Sequence, residues 1–164
     1  MSENLEVNVD NSLLVATFTI DNASFGIDAN LVQEVVQVRK NSPVHHAPRY
    51  IRGVMNLRGR VITIVDLGEK LSLGEIPHCD ENRILIVEWK QEYVGLLVDK
   101  ITEVVPIEKS LVREPPGNVH GVQASLIAGV FQNASGLLIG LLDTNKILDV
   151  DENEYTGVSN IKKE

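Results

Sequence analysis

With one cysteine, Cys79, the chain cannot form an internal disulfide, and no charged-then-apolar leader opens it, so a reducing cytosol is the expected home. Long apolar runs are missing too. Leu137 to Leu142, among the longest, is broken by Gly140 and ends at Asp143, well short of the ~20 residues that a spanning helix needs. No membrane anchor or direct membrane insertion is expected. Basic charge is scarce: 15 Lys and Arg stand against 23 Asp and Glu, for a formal net charge of -8. That balance argues against a chain whose main task is coating phosphate backbones, and no nucleic-acid partner is expected. One local exception is Arg49, Arg52, Arg58 and Arg60, a basic patch that suits an acidic protein partner as well as it suits nucleic acid.

The signatures of common catalytic sites are absent as well. There is no Gly-rich phosphate loop, no Gly-x-Ser-x-Gly elbow and no His-Glu-x-x-His pair. His45 and His46 lie beside Pro43 and Pro48 in a predicted loop, and His78 with Cys79 lies in the polar stretch from Ile76 to Asn82. A zinc site needs four ligands in clustered spacing, whereas these are spread over separate loops, so neither metal nor cofactor is expected. A small hydrolase built on Cys79 would require a histidine to meet it in space. Asn133-Ala-Ser135 has the form of a glycosylation acceptor, which has no meaning without secretion. The expectation is a non-enzymatic, β-rich interaction module.

What the chain does have is enough apolar material for a core. Of its 164 residues, 43% are hydrophobic and 23% charged, the balance of a globular fold made of one domain, or of two very small ones sharing a core. Residues 1–11 and 151–164 are polar without apolar periodicity and read as mobile tails. Between them, short runs rich in Val and Ile recur: Leu13 to Ile20, Val61 to Val65, Ile84 to Trp89, Val94 to Val98 and Leu137 to Leu142. Most are too short for helices and read as strands. The first alternates Thr17 and Thr19 with Phe18 and Ile20, as an outer strand with one wet face would. Gly95 to Val98 and Leu137 to Ile139 show no alternation and are expected to be buried on both faces.

Two echoes link the halves. Gly26-Ile-Asp-Ala-Asn-Leu-Val-Gln-Glu-Val-Val36 matches Gly95-Leu-Leu-Val-Asp-Lys-Ile-Thr-Glu-Val-Val105 at an offset of 69, and Val61 to Asp66 matches Leu138 to Asp143 at an offset of 77. Each member of the second pair is a strand ending at an Asp, whose carboxylate can cap a following short helix; Leu67 to Leu73 and Thr144 to Val150 are the candidates. A pair of similar β units follows, packed face to face as two small barrels.

The segment Tyr50 to Leu67, YIRGVMNLRGRVITIVDL, is the most distinctive. Two predicted strands flank a turn at Arg58-Gly59, where glycine supplies the positive φ of a tight hairpin. Tyr50-Ile51, Gly53-Val54-Met55, Asn56-Leu-Arg-Gly59 and Val61 to Leu67 closely resemble the pattern of the CheW family of chemotaxis coupling proteins. Upstream, Phe25 to Asp28 and Leu31 to Val35 resemble that family's opening strand and short helix. Downstream, Val94 to Asp99 and Thr102 to Val104 resemble its second signature. The resemblance runs from about Leu13 to Val150.

This resemblance implies a mainly β fold of two five-stranded SH3-like barrels around a shared core, with a few short helices, over residues 12–150. The first barrel is expected at about 12–82 and the second at about 83–150, with strand exchange between them left open. It also implies a non-enzymatic adaptor that bridges the cytoplasmic tips of chemoreceptors, the methyl-accepting kind, to the regulatory domain of a histidine autokinase. The protein would be cytoplasmic and recruited to membrane receptor arrays, with weak homo-association through similar barrel faces. The same resemblance fits a chemosensory pathway with another output, surface motility or gene regulation. Carried over by motif, the coupling positions are Val32, Glu34, Gly53, Asn56, Arg58, Gly59 and Gly95. Val32 would offer apolar area to a receptor helix, and Gly53 and Gly95 would let another backbone approach. An Arg58 fork on Glu34 is expected to hold the hairpin against the short helix. There are two departures: Thr63 stands where the family usually has proline, and Asn118 to Ser135 fits only loosely.

Overall fold

A computed structural model of the chain describes residues 11–39 and 41–149. The expected tails, apart from Asn11, lie outside the described residues. Among the described residues twelve strands run in the order β1 (Ser12–Ile20), β2 (Ala23–Asp28), β3 (Val32–Gln37), β4 (Ile51–Leu57), β5 (Arg60–Asp66), β6 (Arg83–Trp89), β7 (Glu92–Val98), β8 (Lys100–Glu108), β9 (Asn118–Val119), β10 (Val122–Gln123), β11 (Ile127–Gln132) and β12 (Leu138–Leu142). Two short helices follow β5 and β12: α1 (Leu67–Lys70) and α2 (Thr144–Leu148). Asp66 accepts from the Glu69 amide at 3.2 Å and Asp143 from the Lys146 amide at 3.2 Å, so both carboxylates cap as the sequence predicts, over shorter helices than expected.

The strands form two five-stranded sheets, ordered β3-β6-β7-β5-β4 and β11-β12-β2-β1-β8, plus the small β9–β10 ribbon. This is the predicted pair of SH3-like barrels, but its membership does not follow a cut at residue 82. Strands β6 and β7 join the sheet of β3 to β5, while β1 and β2 join the sheet of the second half. For the same reason β1 is not an outer strand: it lies between β2 and β8. Its Thr17 is buried, with the hydroxyl donating to the Glu103 carbonyl at 2.8 Å and lying 2.6 Å from that of Thr102. A polar residue satisfied by the next strand had imitated a wet face.

Each barrel is closed by one isolated bridge outside its strands. Ser42 pairs with Val54 on β4, and Arg113 pairs with Val130 on β11. The core is largely shared: one continuous cluster takes Phe18, Ile20 and Phe25 from one sheet, Ile62, Leu85 and Leu96 from the other, and Ile147 and Leu148 from α2. Gly95 to Val98 are buried as predicted, but in the run Leu137 to Ile139 burial begins only at Ile139; Leu137 is 57% exposed because it still belongs to the turn before β12.

Candidate functional site

The site is built around the β4–β5 turn. Leu57 pairs with Arg60, leaving Arg58 and Gly59 as the only turn residues, at φ 53 and φ 83. Two positive φ values in a two-residue loop give the turn whose twist matches that of the flanking strands. Asn56 locks it by accepting the Gly59 amide on Oδ1 at 2.9 Å. Asn56 and Gly59 therefore shape the turn that aims Arg58.

Arg58 points across to β3. Its Nη1 donates to Glu34 Oε1 at 2.5 Å and its Nη2 to Oε2 at 2.6 Å, a bidentate fork. Hydrogen bonding from Arg58 holds the Glu34 carboxyl below the ordinary glutamate range, with desolvation opposing, and the same bond raises the guanidinium above the usual arginine value. The predicted pair exists, but not against a helix. After a single 3-10 turn at Ala29–Leu31, capped by Asp28, the chain runs as strand β3. Since β3 and β4 are the two edges of their sheet, the fork spans the gap between opposite edges.

Beside the pair lies a groove of about 400 Å³, floored by Leu57, Ile62 and Ile86 and rimmed by Gln33, Arg60 and Tyr93. The Arg60 guanidinium stacks 4.6 Å from the Tyr93 ring centroid. Val35 and Val61 are exposed. Arg60 appeared in the sequence only as one charge of a basic patch, and Tyr93 had no signal at all, because the contact depends on the parallel pairing of β5 with β7.

The remaining predicted residues are placed differently. Val32 is half-buried against the core. Gly53 and Gly95 are buried and face their own fold: a Cβ on Gly53 would lie 2.4 Å from the Ser42 carbonyl oxygen, and one on Gly95 2.6 Å from Ile84 Cγ2. The close approach at Gly53 is that of the barrel-closing bridge. Arg52 leaves the basic patch altogether, donating to buried Asp66 and to the Ile76 carbonyl, both at 2.8 Å. Cys79 is exposed in the loop between α1 and β6. Among the described residues no group of three or more His, Cys, Asp or Glu side chains is placed to hold a metal ion, and no helix is long and apolar enough to cross a membrane.

The model of the CheW-like domain family matches residues 14–152. The chain belongs to the CheW-like domain family. Among curated relatives it is 30% identical over 147 residues to a protein named Chemotaxis protein CheW from Treponema pallidum, covering 87% of this chain and 86% of that one. A protein of the same name from Bacillus subtilis is 28% identical over 151 residues, covering 91% and 94%. Among solved structures, the scaffolding protein TtCheW from Thermoanaerobacter tengcongensis superposes with a TM-score of 0.77 at 27% identity, covering 85% of this chain and 89% of that one. The CheW-like match spans both sheets, so the loosely fitting stretch from Asn118 to Ser135 lies inside the family fold as β9, β10, β11 and the following turn.

Proposed function

We propose that this chain is a non-enzymatic adaptor of bacterial chemotaxis signalling, coupling the cytoplasmic tips of methyl-accepting chemoreceptors to the regulatory domain of a histidine autokinase. The observation that carries this reading is the Arg58–Glu34 fork: a structured, solvent-facing ion pair beside an apolar-floored groove, in a chain of the CheW-like family. A groove with an apolar floor and a charged rim suits an amphipathic helix, which would lay aliphatic side chains inside and polar ones along the rim.

In this reading Glu34 and Arg58 form the polar part of the receptor-facing surface, and Val32 supports it from the half-buried side of β3. Asn56 and Gly59 hold Arg58 in place, whereas Gly53 and Gly95 act through the shape of the barrel. The second barrel contributes to the kinase-facing surface. Each interface is modest, and assembly gains strength because the second contact becomes intramolecular once the first is made. The protein acts in the cytoplasm at membrane receptor arrays, with weak self-association.

The test is ternary assembly from the purified chain, a receptor signalling tip and the kinase. The chain should bind each partner separately and bring kinase activity under receptor control. A chain that binds neither, or that binds both without changing kinase control, would overturn the reading.

A further inference from the structure

The two sheets are related by exchange of the chain's halves. Reading β3-β6-β7-β5-β4 against β8-β1-β2-β12-β11, every strand of one half stands where its counterpart of the other half stands. The register repeats in three of the four ladders, and the β11–β12 ladder stands one residue off that of β4–β5. Ile64 pairs with Gly95 in the parallel β5–β7 ladder, and Leu141 with Gly26 in the parallel β12–β2 ladder, matching the sequence offsets of 77 and 69. Glu34 pairs with Ile86 and Glu103 with Thr17, again 69 apart, and an irregularity in register sits beside each pair.

The consequence is topological. Each half places its first hairpin in the other half's sheet: β1–β2 lies with β8, β11 and β12, while β6–β7 lies with β3, β4 and β5. The crossings are short, namely Ala29–Leu31 between β2 and β3, and Asp99 alone between β7 and β8. Without β6–β7, the sheet of the first half would lose the strands between β3 and β5, leaving unpaired edges and an opened core. Without β1–β2, the second sheet would fail in the same way.

We propose that this reciprocal exchange makes the two barrels one cooperative folding unit, in which neither barrel opens while the other stays closed and a chain cut between its halves remains assembled. The shared cluster running from Phe18 and Phe25 to Leu96 fits this, because it draws on both halves and both sheets and leaves only a small satellite cluster apart. The exchange also bears on mechanics: β3, which carries Glu34, leaves β2 through three residues, so a load at the ion pair is borne by both sheets.

The test uses the full chain with a site-specific protease sequence inserted between His78 and Cys79, both exposed. After cleavage under native conditions the fragments should co-elute at the size of the intact chain and part only in denaturant, in a single transition. A second measurement, native-state hydrogen exchange on the uncut chain, compares wild type with Ile139→Ala. Ile139 belongs to a small cluster with Val15, Phe131 and Leu141, confined to the second barrel's sheet. Protection of the slowest amides in β5 to β7 should fall by the same factor as in β1, β2 and β12. Fragments that separate without denaturant, or a loss of protection confined to the sheet holding Ile139, would overturn the proposal.

Discussion

Arg58 lays its guanidinium on the carboxylate of Glu34, 24 positions earlier in the chain, and does so from a backbone at φ 53. Asparagine or glycine adopts that conformation more readily than arginine. The turn is therefore held in a conformation unfavourable to the residue it carries, with Asn56 bonded to Gly59 and the Glu34 fork as the compensating contacts. Such strain beside a solvent-facing charge marks a place where the position of a side chain matters more than the stability of the turn.

The pair has a defined pH window. The folded carboxyl of Glu34 titrates below its unfolded value, so its stabilising contribution is fully present above the ordinary glutamate range and is lost as pH falls through the lowered folded value. Exposure of Arg58 makes it sensitive to salt as well. A carbon-detected NMR titration of Glu34 in wild type and in Arg58→Gln should show a higher midpoint in the variant, with the difference shrinking at high ionic strength. Equal midpoints at low salt would contradict the fork.

Two glycines in the same segment should respond differently to alanine. At Gly59 a Cβ meets nothing within 4 Å, so only the positive φ resists, and Gly59→Ala should cost ~1–2 kcal/mol. At Gly53 the Cβ would meet the Ser42 carbonyl oxygen at 2.4 Å, in the bridge that closes the barrel. Gly53→Ala should cost about 2–4 kcal/mol in denaturant unfolding, from overpacking added to backbone strain. The reverse order would show that the bridge yields easily.

Thr63 is 1% exposed in the middle of β5, and its hydroxyl has no hydrogen-bond partner. Thr63→Val keeps the shape and removes the unsatisfied group, so it should be neutral or stabilising by ~1 kcal/mol. A clear loss of stability would mean that the hydroxyl is satisfied in solution.

The two helix-capping aspartates differ in what else they hold. Asp143 caps α2 from a half-buried position, and Asp143→Ala should cost ~1 kcal/mol. Asp66 is 1% exposed and also accepts the Ile76 amide at 3.1 Å and the Arg52 guanidinium at 2.8 Å. Asp66→Ala should cost about 3 kcal/mol, because it leaves the buried Ile76 amide without an acceptor and takes the buried carboxylate away from a partly buried arginine. Similar losses at both positions would show that Arg52 and Ile76 find other partners.

Much of this was legible from local chemistry. The strands, both capping aspartates and the turn at Arg58-Gly59 follow from β-branched runs, an Asp at each strand end and a glycine suited to positive φ. The pairing of Arg58 with Glu34 was also expected, but the element carrying Glu34 was not. The short helix was expected from the family resemblance at Leu31 to Val35, whereas the chain there runs as an edge strand whose two-residue period is broken by an irregularity at Gln33. Hairpin exchange was out of reach, since the offsets show which strands are alike and not which sheet each joins. One signal went unused. Asn133-Ala-Ser-Gly136 stands 77 residues after Asn56-Leu-Arg-Gly59, and in the structure Asn133 organises its turn by accepting the Ser135 and Leu137 amides. Following that echo backwards would have marked the loosely fitting region as the second barrel's own hairpin.

We propose that Arg58 serves coupling rather than folding. Arg58→Asn tests it most directly, since asparagine accepts positive φ and leaves the favoured Asn-Gly turn while removing the guanidinium. Kinase activity would be followed in ternary assemblies with the receptor tip, alongside thermal melting of the free chain. A melting temperature equal to or above wild type is expected, together with loss of receptor control over the kinase. Retained control in a fully folded Arg58→Asn protein would contradict it.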